Sequence, residues 1–171
     1  MAEPTDNGNG NAGKQPPGDV TQVQVHIAAQ YIKDLSFESP NVRNLIGGPG
    51  DQPTLRVEVQ VNATKVADKR FESAIQFKAE ATNKAGIIYD LELVYAGLFE
   101  IANMPEQAIE PFLLINCPLL LFPFLRRLVA DLTREGGFPP LLLDPIDFGG
   151  LFLKRQQERA AAGGKPQSVV N

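Results

Sequence analysis

A chain of 171 residues with 43% hydrophobic residues is long enough for one domain with a real core and too short for two comfortable ones. Its 16 Lys and Arg against 20 Asp and Glu leave a formal charge of -4, so no basic surface draws it onto phosphates and no nucleic acid partner is expected. The single cysteine, Cys117, excludes an intrachain disulfide framework and fits a reducing compartment.

Residues 1–20 are Gly, Asn, Pro and acid with almost nothing apolar, and are expected to form a disordered tail because they cannot offset their ordering entropy by burial. They have neither the basic start nor the apolar segment of a secretory signal, so the chain is expected in the cytoplasm. Four stretches of period-two alternation come next and predict four strands. They are Val23, Val25, Ile27, Ala29 and Tyr31 with Leu35 and Phe37; Leu55 to Val61; Phe71 to Ala79; and Ile87 to Tyr95. Their opposite faces are polar, which suits an antiparallel sheet wetted on one side. On regular alternation Tyr31, Lys33, Leu35 and Phe37 share one side of the first strand, and Ile32, Asp34, Ser36 and Glu38 the other.

Residues 39–54 are too long for a tight hairpin and carry Val42, Leu45 and Ile46, so this connection is expected to cross the sheet. Asn83 to Gly86 suit a hairpin turn. The stretch PFLLINCPLLLFPFL is apolar nearly all round and is expected to be buried on several sides, by the sheet and by another subunit. It is shorter than the roughly 20 residues of a bilayer-spanning helix, and Pro118 and Pro123 interrupt it, so no membrane insertion is expected. Leu125, Leu128, Val129 and Leu132 recur at helical spacing until Gly136 and Gly137. FPPLLLDP predicts an extended loop because of Pro139, Pro140 and Pro145. A second helix is expected from Asp144 or Asp147, with Phe148, Leu151 and Phe152 on one stripe, before a second disordered tail at residues 160–171. Strands followed by helices make an α+β domain over residues 21–159.

Groups for catalysis are scarce. His26 is the only histidine and has no neighbour with which to build a triad or a zinc site. The glycine clusters lack the Lys-Ser or Lys-Thr of a phosphate loop. Neither an enzyme nor a metal or other cofactor is expected. Two features stand out instead. Val42, Leu45, Ile46, Leu141, Leu142, Leu143, Phe148, Leu151 and Phe152 exceed what one sheet and one helix need; they line a groove, or else close the core or an oligomer interface. Asp34 and Glu38 on the first strand, with Asp90, Glu92 and Glu100 on the fourth, form an acidic register that is either ordinary solvation or a docking surface for a basic partner. A carrier or sensor that encloses a small hydrophobic ligand is one reading of the apolar surplus.

Four ordered blocks carry a resemblance over about residues 22–155: KDLSFESPN, YDLELVYAGLFEI, NCPLLLFPFLRRLV and GGFPPLLLDPIDFGGLF. Together they resemble SecB, the protein-export chaperone family. The resemblance implies a four-stranded antiparallel sheet with a long crossover after the first strand and two helices packed on one face, assembled as a homotetramer that is a dimer of dimers. It implies that unfolded secretory preproteins are held in apolar grooves and delivered to SecA, the translocase ATPase. On that analogy Asp34, Glu38, Asp90 and Glu92 dock SecA, and Phe37 with the crossover, the FPPLLLDP loop and the Phe148 helix borders the groove. Cys117, Leu120, Leu121, Phe124 and Leu128 would sit at the subunit interface. The chain departs from better-known relatives at Asp90, an apolar position there, and in a crossover without an aromatic residue.

Overall fold

The computed structural model describes residues 22–45 and 52–163. Ile46, the Gly47–Gly50 cluster, the N-terminal tail and residues 164–171 lie outside the described residues. The four alternating stretches become β1 (Gln24–Glu38), β2 (Thr54–Ala67), β3 (Arg70–Asn83) and β4 (Gly86–Ala102). They form one antiparallel sheet in the order β1-β4-β3-β2. The connection after β1 therefore runs from one edge of the sheet to the other, as its length requires. Ser39 Oγ and Asn41 Nδ2 tie its start to the carbonyls of Ile88 and Ile87, each at 2.9 Å.

β1 does not alternate regularly. Bulges at Ala28 and Lys33 each insert one residue against β4, and each reverses the facing of the residues after it. Tyr31 and Lys33 therefore reach Glu72 on β3, at 2.5 and 2.6 Å, on the same face as Asp34, Ser36 and Glu38. Ile32, opposite Tyr95, joins Leu35 and Phe37 on the other face. This corrects the regular alternation expected for Tyr31 to Glu38.

Helices cover one face only. α1 (Glu106–Pro111), a π turn at Phe112–Asn116 and α2 (Cys117–Glu135) are one continuous run of 30 residues. The expectation that prolines break the stretch is corrected, since the helix runs on through them; by length and composition alone the run could cross a bilayer, and its apolar stripe is buried against the sheet. Its prolines are accommodated in two ways. In the π turn the Cys117 N–H donates to the Phe112 carbonyl, which frees the Leu113 carbonyl, and Pro118 has no N–H to offer it. The buried Ser73 hydroxyl on β3 fills that place, donating to Leu113 O at 2.8 Å. Pro123 and Leu119, whose carbonyl it cannot serve, both lie on the exposed side.

The sheet-facing stripe of α2 is Cys117, Pro118, Leu121, Phe122, Leu125, Val129 and Thr133. Opposite it stand Phe71, Ile75, Phe77, Leu91, Leu93 and Phe99 from the central strands. Gly97 lets the helix come close: a Cβ there would meet Leu121 Cδ2 at 2.8 Å. After Glu135 the loop is held by Thr133, whose hydroxyl accepts from the Leu141 N–H at 2.9 Å. α3 (Phe148–Ala161) begins where Asp147 caps it by accepting from the Gly150 N–H, and it runs two residues into the expected tail.

Candidate functional site

The bare face of the sheet carries a charged grid. Reading across β1, β4, β3 and β2, the registers place Glu38, Asp90, Glu80 and Arg56 in one row. Ser36, Glu92, Lys78 and Glu58 form the next, and Asp34, Val94, Gln76 and Gln60 the third. Asp34, Glu38, Asp90 and Glu92, scattered over 59 positions of sequence, are thus brought together on adjacent strands. Glu100 is not part of this patch. It lies eight residues along β4 from Glu92, roughly 27 Å at ~3.4 Å per residue, and pairs with Arg70 at 2.8 Å.

Lys78, not singled out by sequence, stands inside the patch. Its Nζ donates to Glu92 Oε1 at 2.6 Å and to Asp90 Oδ2 at 3.2 Å. Those hydrogen bonds, Glu92 first and Asp90 second, push its pKa up to about 12. Asp90 Oδ1 is buried without a hydrogen-bond partner among the described residues. Neither Asp34 nor Glu38 has an ion-pair partner among the described residues. A shallow depression of about 330 Å³ joins Asp34, Glu92, Lys78 and Glu58.

The helix side holds the apolar candidates, and the structure sorts them. Phe37 stacks on Tyr89 with centroids 5.8 Å apart, Tyr89 meets Phe138 at 5.2 Å, and a Cβ on Gly136 would collide with the Phe37 ring. Leu45 and Leu141 pack half-buried beside the core, while Val42 and, at 69% exposure, Leu142 face outward. Leu143 and Phe148 are 8% and 1% exposed, so as side chains of this chain they back the surface and do not form it. Leu151 and Phe152 line a cleft of about 580 Å³ with Val59, Val61 and Leu114. Arg155 crosses that cleft to donate to the Val61 carbonyl on the β2 edge at 2.8 Å. Burial first, and then the Arg159 charge, lower its pKa. Tyr89 and Arg155 were not singled out by sequence as site residues, and Phe138 only as the start of the FPPLLLDP loop.

The residues expected between subunits divide likewise. Cys117 and Leu121 are fully buried against the sheet within one chain, and burial pushes the Cys117 thiol up to about 12. A partner subunit would meet Leu120 and Phe124, which are exposed, and Leu128, which is half-buried. Leu119 is exposed beside them. Phe124 stacks on Tyr95 at 6.3 Å, with Val25, Ile32 and Leu35 of β1 also exposed on this side of the sheet.

The model of the family described as preprotein translocase subunit SecB matches residues 18–159. The protein-export protein SecB of Parvibaculum lavamentivorans is 48% identical over 165 residues, covering 95% of this chain and 96% of the relative. That of Mesorhizobium japonicum is 44% identical, covering 91% of this chain and 89% of the relative. Among solved structures, the SecB-like chaperone Rv1957 of Mycobacterium tuberculosis, in complex with a peptide from the HigA1 antitoxin, matches with a TM-score of 0.59 at 18% identity. That match covers 71% of this chain and 90% of the other, and at that identity it speaks for the fold.

Proposed function

Because the chain belongs to the SecB family of protein-export chaperones, we propose that it is a cytoplasmic holdase that keeps unfolded preproteins translocation-competent and passes them to SecA. The observation that carries this reading is the separation of two surfaces on opposite faces of one sheet. The acids Asp34, Glu38 and Glu92 stand on the bare face; the apolar contacts of Phe37, Val42, Leu142, Leu151 and Phe152 stand on or beside the helix side. A client and an acceptor can then be bound together, which transfer requires. A holdase needs wide apolar contact and no catalytic group, because its clients share no sequence.

In this reading the client meets the aromatic cluster of Phe37, Tyr89 and Phe138 and the cleft beside β2. Val42, Leu45, Leu141 and Leu142 border it, with Leu143 and Phe148 supporting from behind. The peptide held by the SecB-like chaperone of similar fold supports peptide binding here. The subunits assemble as a homotetramer, a dimer of dimers, through the exposed stripe of α2 and the uncovered side of β1, since contiguous apolar surface of this kind is rarely left to water. A long client occupying several grooves at once gains avidity. The carrier alternative is less well supported: the cleft beside β2 is lined by Glu58, Lys154, Arg155 and Glu158 as well as by apolar side chains.

Glu92→Lys tests the separation. Its SecA affinity should fall by about tenfold or more, as expected for charge reversal at a complementary face. Suppression of aggregation of an unfolded client should stay near wild type. Equal loss of both activities would overturn the reading.

A further inference from the structure

We propose that Lys78 is a built-in occupant of the acidic docking face, lying where a lysine or arginine of the partner would sit and thereby weakening the docking it borders. This rests on the SecA-docking reading above. Within the three rows of the grid there are six carboxylates and two cations, Lys78 and Arg56. Arg56 is engaged at the far edge, 2.8 Å from Glu58. Lys78 is central: its register partners are Glu92 on one side and Glu58 on the other, and Asp90 and Glu80 stand in the adjoining row.

An incoming cation finds the β4 part of the patch already served. Glu92 gives one oxygen to Lys78, and Asp90 gives Lys78 one oxygen while its other is shielded from water. To use these carboxylates the partner must displace Lys78, exchanging one ammonium contact for another at little net gain. On β1, Asp34 and Glu38 carry no such counter-ion among the described residues. The partner's basic groups are therefore directed to Asp34 and Glu38 on the β1 side of the face and to Glu80 on β3, which likewise has no ion-pair partner among the described residues. Asp90, which looks like extra negative charge in sequence, adds little to the field the partner feels, because its charge is spent on holding Lys78 beside Glu92. Attraction between exposed charges is weak and screened by salt, so removal of the internal competitor should show most clearly at low ionic strength.

The test is titration calorimetry of the assembled protein with purified SecA at low and high salt. Lys78→Met and Lys78→Gln should both bind SecA about three- to tenfold more tightly at low salt, with a steeper loss of affinity as salt rises. Lys78→Arg, which keeps the counter-ion, should bind as wild type does. Unchanged or weakened binding by both neutral variants would overturn the proposal, since it would make Lys78 a spectator or an organiser of the face. Glu38→Lys separates this failure from failure of the docking reading. If Glu38→Lys weakens SecA binding but neither neutral variant tightens it, masking alone is wrong; if Glu38→Lys leaves binding intact, the docking reading falls and masking falls with it.

Discussion

β4 and β1 are neighbours paired along the length of β1 with two bulges, and both carry apolar side chains on the helix side of the sheet, yet one is core and the other is surface. Leu93 of β4 is 0% exposed and its register partner Leu35 of β1 is 41% exposed. The difference is made by the helices, which lie over β3 and β4 and stop short of the edge strand. Alternation therefore specifies a strand and its two faces, while the layer above decides whether an apolar face is sealed. In the function proposed above, the unsealed part is what meets clients and other subunits.

The two strands are also held differently. β4 is fixed by burial. β1 relies on its hydrogen-bonded ladder and on Glu72, which reaches over β4 from β3 to accept from Tyr31 and Lys33. Burial works to raise the Glu72 pKa, but the hydrogen bonds from Lys33 and Tyr31 and the Lys33 charge outweigh it and hold the carboxyl below its ordinary value. The same contact pushes the Tyr31 phenol up to about 12.

Four substitutions break or sharpen this contrast. The largest effect on folding is expected at the sealed position: Leu93→Ala should lose about 2–5 kcal/mol in denaturant unfolding at fixed protein concentration, by lost transfer energy and a cavity. Leu35→Ala should lose markedly less, and equal losses would mean that β1 is as well covered as β4. A smaller effect is expected for Glu72→Gln, and it is pH-dependent. A depressed carboxyl pKa contributes stability that is full above the unfolded pKa and lost as pH falls through the folded one. The melting-temperature gap between wild type and Glu72→Gln should accordingly be widest near neutral pH and close on acidification below the ordinary carboxylate range; a constant gap would refute the role given to Glu72. The smallest effect on the fold should come from Phe124→Asp, because Phe124 is 43% exposed on α2. Its circular dichroism should match wild type while light scattering shows a mass below that of a tetramer, and an unchanged mass would remove Phe124 from the interface.

Much of this was legible in the residues. Strand alternation, the proline-bound loop, a helix start at Asp144 or Asp147 and the placement of Asp34, Glu38, Asp90 and Glu92 on one face all come from local spacing, given that β1 and β4 share a sheet. The bulges at Ala28 and Lys33 were not legible, since nothing in IAAQYIKDLSF marks where an extra residue enters the strand. Nor was the continuous helix through Pro118: its π turn is tolerable only because Ser73, 40 positions away, supplies the hydrogen bond to Leu113. Burial of Leu143, Phe148, Cys117 and Leu121 was equally hidden, because an apolar residue in a loop or on a helix reads the same whether it points inward or out.

By itself, then, the order of residues determined the four strands, the two-faced character of most of each strand and the family to which the chain belongs, because these depend on short-range period and on motif. Only the tertiary structure decided which leucines are sealed, which way Tyr31 and Lys33 face, and that Lys78 stands among the acids. Those outcomes depend on contacts between segments far apart in the chain, and distance along the sequence carries no direct record of them.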